Sequence, residues 1–329
     1  MPTIEDMLKD RPHLLVDGAM GTELFARGLT AGDPPEGWNV DLPDEVTSVH
    51  AGYIKAGSDI ILTNSFGGTA FRLKLHKLDD RVVELNRAAA QVARAAADAA
   101  DRPVIVAGST GPSGELLEPM GTMTMETAAQ AYADQAEGLT AGGADILWIE
   151  TMSSLDEVAA AVEGMRRRSD LPIAATLSFD TAGRTMMGVT GEDAAKRLTD
   201  LGLAAIGANC GNNIAETEAA VRQIKAGAGD TPVIVKSNAG VPEFKGDALH
   251  YSGSPEVMGS HVQRMMDLGV QVIGGCCGTS TEHLAYMRGV MDGRIEAPEL
   301  EAPGPDRPDG PPGGGEGRGP RTNRRRRAS

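Results

Sequence analysis

The sequence of 329 residues predicts an α/β protein: a (β/α)8 TIM barrel formed by residues 1–295, followed by a disordered C-terminal tail at 296–329. Three observations predict this organisation. Short apolar segments alternate with longer segments of helical periodicity, there are eight such apolar segments, and the composition changes abruptly after Ile295.

Each predicted strand is a short run of Val, Ile, Leu and Ala. Because the runs are apolar throughout rather than alternating with polar residues, both faces of the sheet must be covered, which favours parallel pairing. An open doubly wound sheet is the alternative, but the first helix does not begin with a G-x-G-x-x-G motif. The eight runs are 13–18, 59–64, 103–109, 144–150, 172–178, 204–210, 232–238 and 270–277.

Segments with helical spacing separate these runs. Several end in a glycine just before the next strand, as at Gly57, Gly202 and Gly269, which is typical of a helix C-cap. The predicted helices include 79–100, 125–141, 154–168, 192–201 and 255–268.

The predicted tail is rich in Pro, Gly and charged residues and offers almost nothing to bury. A segment of this composition cannot offset its ordering entropy, so we expect disorder. It contains four consecutive arginines, Arg324 to Arg327. We interpret this run as a solubilising end, with a docking segment for an acidic partner as the alternative.

Composition restricts the class of protein. The formal net charge of -15 disfavours binding to nucleic acid or to anionic membranes. The charged N-terminus lacks the apolar run of a secretory signal, and no segment reaches the roughly eighteen apolar residues of a membrane span. We therefore expect a cytoplasmic protein, in which the 3 cysteines do not form a disulfide framework.

All three cysteines follow predicted strands at the end where barrels of this class carry their chemistry. Cys210 ends the sixth strand, and Cys276 and Cys277 end the eighth, which lies only one strand away on a closed barrel. Three thiolates with a vacant fourth position are typical of a catalytic zinc ion. Small buried cysteines and a redox pair at 276–277 are the alternative interpretations.

A zinc ion held by three thiolates favours thiol chemistry, because it binds a further thiol and removes its proton. The expected reaction is attack of a substrate thiolate on an electrophilic carbon. If the substrate is an amino acid, Asp17 and Glu150 can hold its ammonium group, and the backbone around Gly18 and Ala19 can hold its carboxylate. A helix N-cap for Asp17 and a neighbouring strand-end partner for Glu150 are the alternatives.

Several motifs together resemble the signature of the homocysteine S-methyltransferase family, which includes the homocysteine domain of cobalamin-dependent methionine synthase and the betaine–homocysteine methyltransferases. The resemblance runs from about residue 13 to 290. It implies a zinc-dependent barrel with the metal on the three cysteines, homocysteine held by Asp17, Gly18, Ala19 and Glu150, and Asn209 and Asn238 as supporting residues. The motifs are DGAMGTEL (17–24), TNSFGGT (63–69), ET (150–151), GANC (207–210), SNAG (237–240) and GGCCGT (274–279).

The resemblance also bears on the methyl donor. Betaine enzymes of the family surround the trimethylammonium group with aromatic rings. Here Gly67 and Thr151 stand where those enzymes carry tyrosines, and Trp38 alone could match the remaining ring. The motifs are more similar to the methionine-synthase type, so we expect a separate methylated corrinoid protein as donor. Betaine and S-methylmethionine are the alternative donors, and a thiol redox protein or a non-catalytic scaffold are the alternatives from other classes.

Overall fold

The computed structural model describes residues 2–245 and 248–302, with the backbone alone for 242–250. Eight parallel strands pair in the order β1-β10-β7-β6-β5-β4-β3-β2, and a parallel bridge between Val16 and Ile60 joins the two ends of the sheet. The predicted barrel is therefore confirmed, and each predicted run overlaps one of its strands, with β3 and β4 extending one and two residues beyond their runs. The strands are β1 Leu14–Leu15, β2 Ile60–Leu62, β3 Ile105–Thr110, β4 Ile146–Met152, β5 Ile173–Leu177, β6 Ala205–Cys210, β7 Val233–Ser237, β8 Pro242–Lys245, β9 Ala248–Tyr251 and β10 Val272–Gly275.

Two short strands were not expected from the sequence. β8 and β9 form an antiparallel hairpin inserted between β7 and the following helix, on the side of the barrel where the strands end. The hairpin lies outside the eight-stranded sheet.

The helices cover the outside of the barrel and begin at recognisable caps. Ser or Thr side chains accept a backbone N–H at the start of α7, α8, α9 and α11, which satisfies a donor that the helix leaves free. A 3-10 helix, Pro35–Gly37, precedes α3. The helices are α1 Ile4–Asp10, α2 Met20–Ala26, α3 Trp38–Asp41, α4 Pro43–Ala56, α5 Ala70–Lys74, α6 Val82–Asp98, α7 Met125–Ala141, α8 Leu155–Arg166, α9 Gly191–Asp200, α10 Ile214–Gly227, α11 Pro255–Asp267 and α12 Thr281–Met291.

The interior of the barrel has an apolar lower part and a polar upper part. Ala107, Trp148, Ala174 and Ile234 belong to the buried cluster inside the barrel. Side chains two residues further along a strand point the same way. The residues two positions beyond these four are polar and buried: Ser109, Glu150, Thr176 and Lys236. The strands themselves therefore present polar groups at the barrel mouth.

The opposite end of the barrel is closed by α1 and by an ion-pair cluster. Ile4 and Met7 of α1 join the interior apolar cluster. Arg11 and Arg102 contact the buried Asp59 carboxylate at 2.7 and 3.4 Å, and Arg288 also bonds to it. A cluster at this face of a barrel serves stability rather than chemistry.

Residues 296–302, which we assigned to the tail, have no helix or strand but contact the barrel. The Leu300 carbonyl accepts from Ser260 Oγ at 3.0 Å and from Arg264 Nη1 at 2.6 Å, both on α11. The predicted disorder of residues 303–329, including the arginine run, lies outside the described residues. Among the residues that are described, no helix is both long enough and apolar enough to cross a membrane.

Candidate active site

The three cysteines meet at the mouth of the barrel. Cys210 ends β6, whereas Cys276 and Cys277 follow β10, and their Sγ atoms all lie within 4.8 Å of one another. The strand β7 separates the two cysteine-bearing strands, as the closed barrel predicts. Zinc–sulfur bonds of roughly 2.3 Å place thiolates on a tetrahedral ion about 3.8 Å apart, so the cluster fits this metal.

Hydrogen bonds between the three thiols shift their pKa values in opposite directions. Hydrogen bonds from the thiols of Cys210 and Cys276 lower the pKa of Cys277, whereas the contacts of Cys210 with Cys276 and Cys277 raise the pKa of Cys210. The lowered pKa of Cys277 favours its thiolate form, which is the form that binds a metal cation.

One residue of the cluster and one residue near it have a left-handed backbone conformation, which residues other than glycine rarely adopt. Cys210 and Thr151 both have φ of 62°. Asn209 ties them together, because its Oδ1 accepts from the Thr151 N–H at 2.8 Å and its Nδ2 donates to Thr151 Oγ1 at 2.7 Å. The same Nδ2 lies 3.8 Å from Cys276 Sγ. Strain of this kind is often stored at functional sites.

Asn238 joins the two chain segments that carry the cysteines. Its Nδ2 donates to the Gly211 carbonyl at 2.7 Å, directly after Cys210, and its Oδ1 accepts from the Cys277 N–H at 3.0 Å. Asn209 and Asn238 thus support the sulfur cluster from the backbone side.

Replacement of Asn238 by alanine should weaken metal binding. Loss of a group that orients metal ligands typically costs 10–100-fold in metal affinity, so we expect the zinc dissociation constant of Asn238→Ala to rise by about that factor. Competition with a chelator measures it. Asn86→Ala is the matched control, because Asn86 is buried on α6 and its partners among the described residues are the Gly68 and Val82 backbone carbonyls and Gln135, none of which carries a cysteine. Equal losses in both variants would contradict the prediction.

Asp17 and Glu150 lie beside a buried lysine that the sequence analysis did not identify. Lys236 Nζ is 3.3 Å from Asp17 Oδ1 and 3.8 Å from Glu150 Oε2. Asp17 Oδ2 also accepts from the Leu62 N–H at 2.7 Å, and Glu150 Oε1 accepts from Ser109 Oγ. The available signal was a lysine within an apolar strand, two residues after an inward-facing isoleucine.

Burial and charge shift the pKa values of this group in opposite directions. Burial raises the pKa of Asp17 to about 6, although Lys236 and the Leu62 N–H partly offset it. Burial likewise raises the pKa of Glu150 against the attraction of Lys236. For Lys236 burial alone would lower the pKa, but Asp17 and Glu150 outweigh it and the pKa is raised. The ammonium group of Lys236 is therefore charged at neutral pH.

The turn after β1 lies against the loop that follows the paired cysteines. The Ala19 N–H donates to the Thr279 carbonyl at 3.2 Å, and a Cβ on Gly18 would lie only 2.3 Å from that oxygen. Glycine is required at position 18 by this close approach. The Ala19 N–H, expected to bind a substrate carboxylate, already has an acceptor and would have to exchange it.

The segment between β1 and α4 approaches the loop after β2. The buried Glu36 carboxylate accepts from the Gly67 N–H at 2.6 Å, and a Cβ at position 67 would lie 2.9 Å from Glu36 Oε1. Trp38 is partly buried against the main hydrophobic core. Among the described residues, large exposed apolar side chains occur around this mouth, including Phe66, Leu116, Met120 and Met186.

The fold and the site together define a class of protein: a parallel barrel with a cluster of three cysteines at its mouth that could hold a metal ion, beside a buried group of one lysine and two carboxylates. The chain belongs to the homocysteine S-methyltransferase family, whose model matches residues 14–291.

Known proteins agree with this assignment. Methionine synthase of Mycobacterium tuberculosis is 32% identical over 311 residues, which are 90% of this chain and 26% of that protein. Methionine synthase of Mycobacterium leprae is 32% identical over 82% of this chain and 23% of its own length. The chain thus spans about a quarter of these relatives. The oxidised form of the homocysteine methyltransferase MmuM from Escherichia coli superposes with a TM-score of 0.73 at 26% identity, covering 88% of this chain and 99% of that one.

Proposed function

We propose that this protein is a zinc-dependent methyltransferase that forms methionine from homocysteine, with Cys210, Cys276 and Cys277 as the metal ligands. The observation that carries the proposal is the convergence of three sulfur atoms from two strand ends within 4.8 Å. Membership of the family supports homocysteine as the substrate.

The chemistry needs a thiolate at neutral pH, where a free thiol of pKa about 8.5 is mostly protonated. A zinc ion held by Cys210, Cys276 and Cys277 would supply it, because coordination to zinc lowers the pKa of a thiol enough to keep it as a thiolate at neutral pH. The substrate sulfur then forms a bond to the methyl carbon, the bond from that carbon to the donor breaks, and its electron pair leaves with the donor.

The chain's own residues orient the substrate. Asp17 and Glu150 offer carboxylate oxygens to the ammonium group, on the same side of the barrel as the cysteines. The turn at Gly18 and Ala19 offers backbone N–H groups to the carboxylate once the Thr279 bond is exchanged. Asn209 and Asn238 hold the cysteine-bearing segments in place. Positioning of this kind lowers the entropic part of the reaction barrier, because the freedom of the substrate is lost on binding rather than in the chemical step.

We assign the donor role to a methylated corrinoid protein, with the protein acting in the cytoplasm. The similarity to methionine synthases supports this donor. The loops at the mouth also expose large apolar side chains that a docked protein would cover. Positions 67 and 151 carry Gly and Thr, so two of the aromatic rings that surround betaine in the betaine enzymes are missing, which disfavours betaine.

A redox function for Cys276 and Cys277 fits the site less well. A redox pair needs two sulfurs, whereas here a third arrives from a different strand and all three thiols are free. A non-catalytic scaffold would not require the buried carboxylates of Asp17 and Glu150, which are costly to bury.

A donor screen tests the assignment. Zinc-loaded protein and homocysteine would be offered methylcobalamin alone, methylcobalamin on a corrinoid protein, betaine or S-methylmethionine, and methionine would be measured. We expect the corrinoid protein to be the fastest donor and betaine to be slow, since each missing aromatic contact removes about 0.5–2 kcal/mol. Rapid transfer from betaine would contradict the donor assignment. Failure of every donor would contradict the proposed function.

A further inference from the structure

We propose that Lys236 is a positioning residue that fixes the charge and geometry of the substrate pocket, so that the pocket selects thiols carrying an α-ammonium group. This inference rests on the proposed function, because it concerns how the same site distinguishes homocysteine from simpler thiols.

The position of Lys236 places its charge at the centre of the barrel mouth. It lies on β7, the strand between the two cysteine-bearing strands, in register with Asn209 on one side and Gly274 on the other. It follows the inward-facing Ile234 by two residues, and only 2% of it is exposed. The ammonium group is therefore held inside the protein and does not reach solvent like a surface lysine.

Each carboxylate in the pocket is held at two points. One oxygen is fixed by the scaffold: Asp17 Oδ2 by the Leu62 N–H and Glu150 Oε1 by the Ser109 hydroxyl. The other oxygen faces Lys236, at 3.3 Å for Asp17 and 3.8 Å for Glu150. Since Asp17 follows β1 and Glu150 lies on β4, the lysine links strands that are far apart in the sheet. Lys236 is thus the partner that Asp17 and Glu150 have in common, and it aligns the two carboxylates.

The charges of the three groups leave a vacancy for one cation. Two carboxylates and one ammonium sum to a single negative charge, which is costly when buried without a partner. A substrate ammonium completes the pairing of two cations with two anions. A thiol without the ammonium group leaves the negative charge unpaired. Sites built to bond a polar group discriminate strongly against ligands that lack it.

Removal of Lys236 changes this balance. Two buried carboxylates without a cation repel each other, so one of them takes up a proton or turns away. An incoming ammonium group then meets one aligned carboxylate instead of two. The affinity for homocysteine should fall, whereas a thiol that does not use the carboxylates should be affected little.

The test compares homocysteine with 4-mercaptobutyrate, which differs only by lacking the amino group. Binding of each to the zinc-loaded full-length protein would be measured by calorimetry for the wild type, Lys236→Met and Lys236→Gln, with zinc content and unfolding midpoint recorded. We expect the preference for homocysteine to fall about 10–100-fold in both variants, mainly through homocysteine, as for loss of one or two charge-assisted bonds. Zinc content should stay at the wild-type value. Lys196→Met, at an exposed lysine on α9, is the matched control.

The outcomes separate the inference from the function on which it rests. If the wild type does not bind homocysteine, the proposed function fails. If it does, and the variants keep the wild-type preference or bind homocysteine more tightly, Lys236 does not position the acids and the inference is overturned. Two variants are included so that poor folding of Lys236→Met leaves Lys236→Gln to decide.

Discussion

Cys210→Ala, Cys276→Ala and Cys277→Ala should each yield a folded protein without zinc and without methyl transfer to homocysteine. Each variant removes one of three sulfurs that lie within 4.8 Å of one another. Two thiolates cannot hold the ion against competing water as three can, and loss of a ligand should exceed the roughly 100-fold effect of losing a supporting group. Metal analysis after dialysis should give one zinc per chain for the wild type and none for the variants.

Ser58→Ala provides the comparison for this experiment. Ser58 is fully buried near the opposite face of the barrel, and its hydroxyl has no partner among the described residues. It is close to the cysteines in size but lies away from the sulfur cluster, so Ser58→Ala should retain zinc. A full equivalent of zinc in any one of the three cysteine variants would remove that residue from the ligand set.

Asp17→Asn should lose most of its homocysteine affinity and yet become more stable at neutral pH. Loss of a bond between a charged carboxylate and an ammonium group costs about 1.5–3 kcal/mol, which is about 10–100-fold in affinity. The stability effect follows from the pKa of Asp17, which burial raises from 3.8 to about 6. A carboxyl whose pKa is raised by folding contributes stability below its unfolded pKa, and that stability is lost as the pH rises through about 6.

The effect on stability is measured by urea unfolding of the metal-free protein. The measurement runs from about pH 3.5 to about pH 8, roughly the window in which such a carboxyl group titrates. The free energy of unfolding of the wild type should fall relative to Asp17→Asn as the pH rises through this window, by up to about 3 kcal/mol. Asp145→Asn is the control at a buried carboxylate outside the site, and it should be less stable than the wild type at pH 8, because Asp145 pairs with Arg94 at 2.9 Å and accepts from the Val106 N–H. If the wild type is more stable than Asp17→Asn at pH 8, ionised Asp17 is not destabilising.

Much of the barrel could be predicted because its signals are local or periodic. Apolar runs identify the strands, and closure of eight strands then places Cys210 near Cys276 and Cys277 without further information. The hairpin of β8 and β9 was missed because its four-residue strands lie outside the main sheet and carry no extended apolar run.

The charged pocket was only half predicted, for a physical reason. Asp17 and Glu150 lie at strand ends, where barrels of this class carry their functional residues, so the sequence identifies them as site candidates. Lys236 lies within an apolar run, and such a run predicts only a buried strand. Its partners are 219 and 86 residues away in the sequence, so only the folded barrel brings them together. The contact of Glu36 with Gly67 and the bond between Ala19 and Thr279 likewise depend on loop paths that no periodicity encodes.

In this barrel the residues proposed to bind the substrate lie on strands, whereas those that face the methyl donor lie on connecting segments. Glu150, Lys236 and Cys210 lie on strands, so the machinery that recognises the amino-thiol belongs to the rigid frame. Glu36 and the exposed apolar side chains belong to connecting segments, which tolerate exchange far better than strands do. Grafting these connections from relatives with other methyl sources should therefore alter the donor while leaving the acceptor chemistry intact.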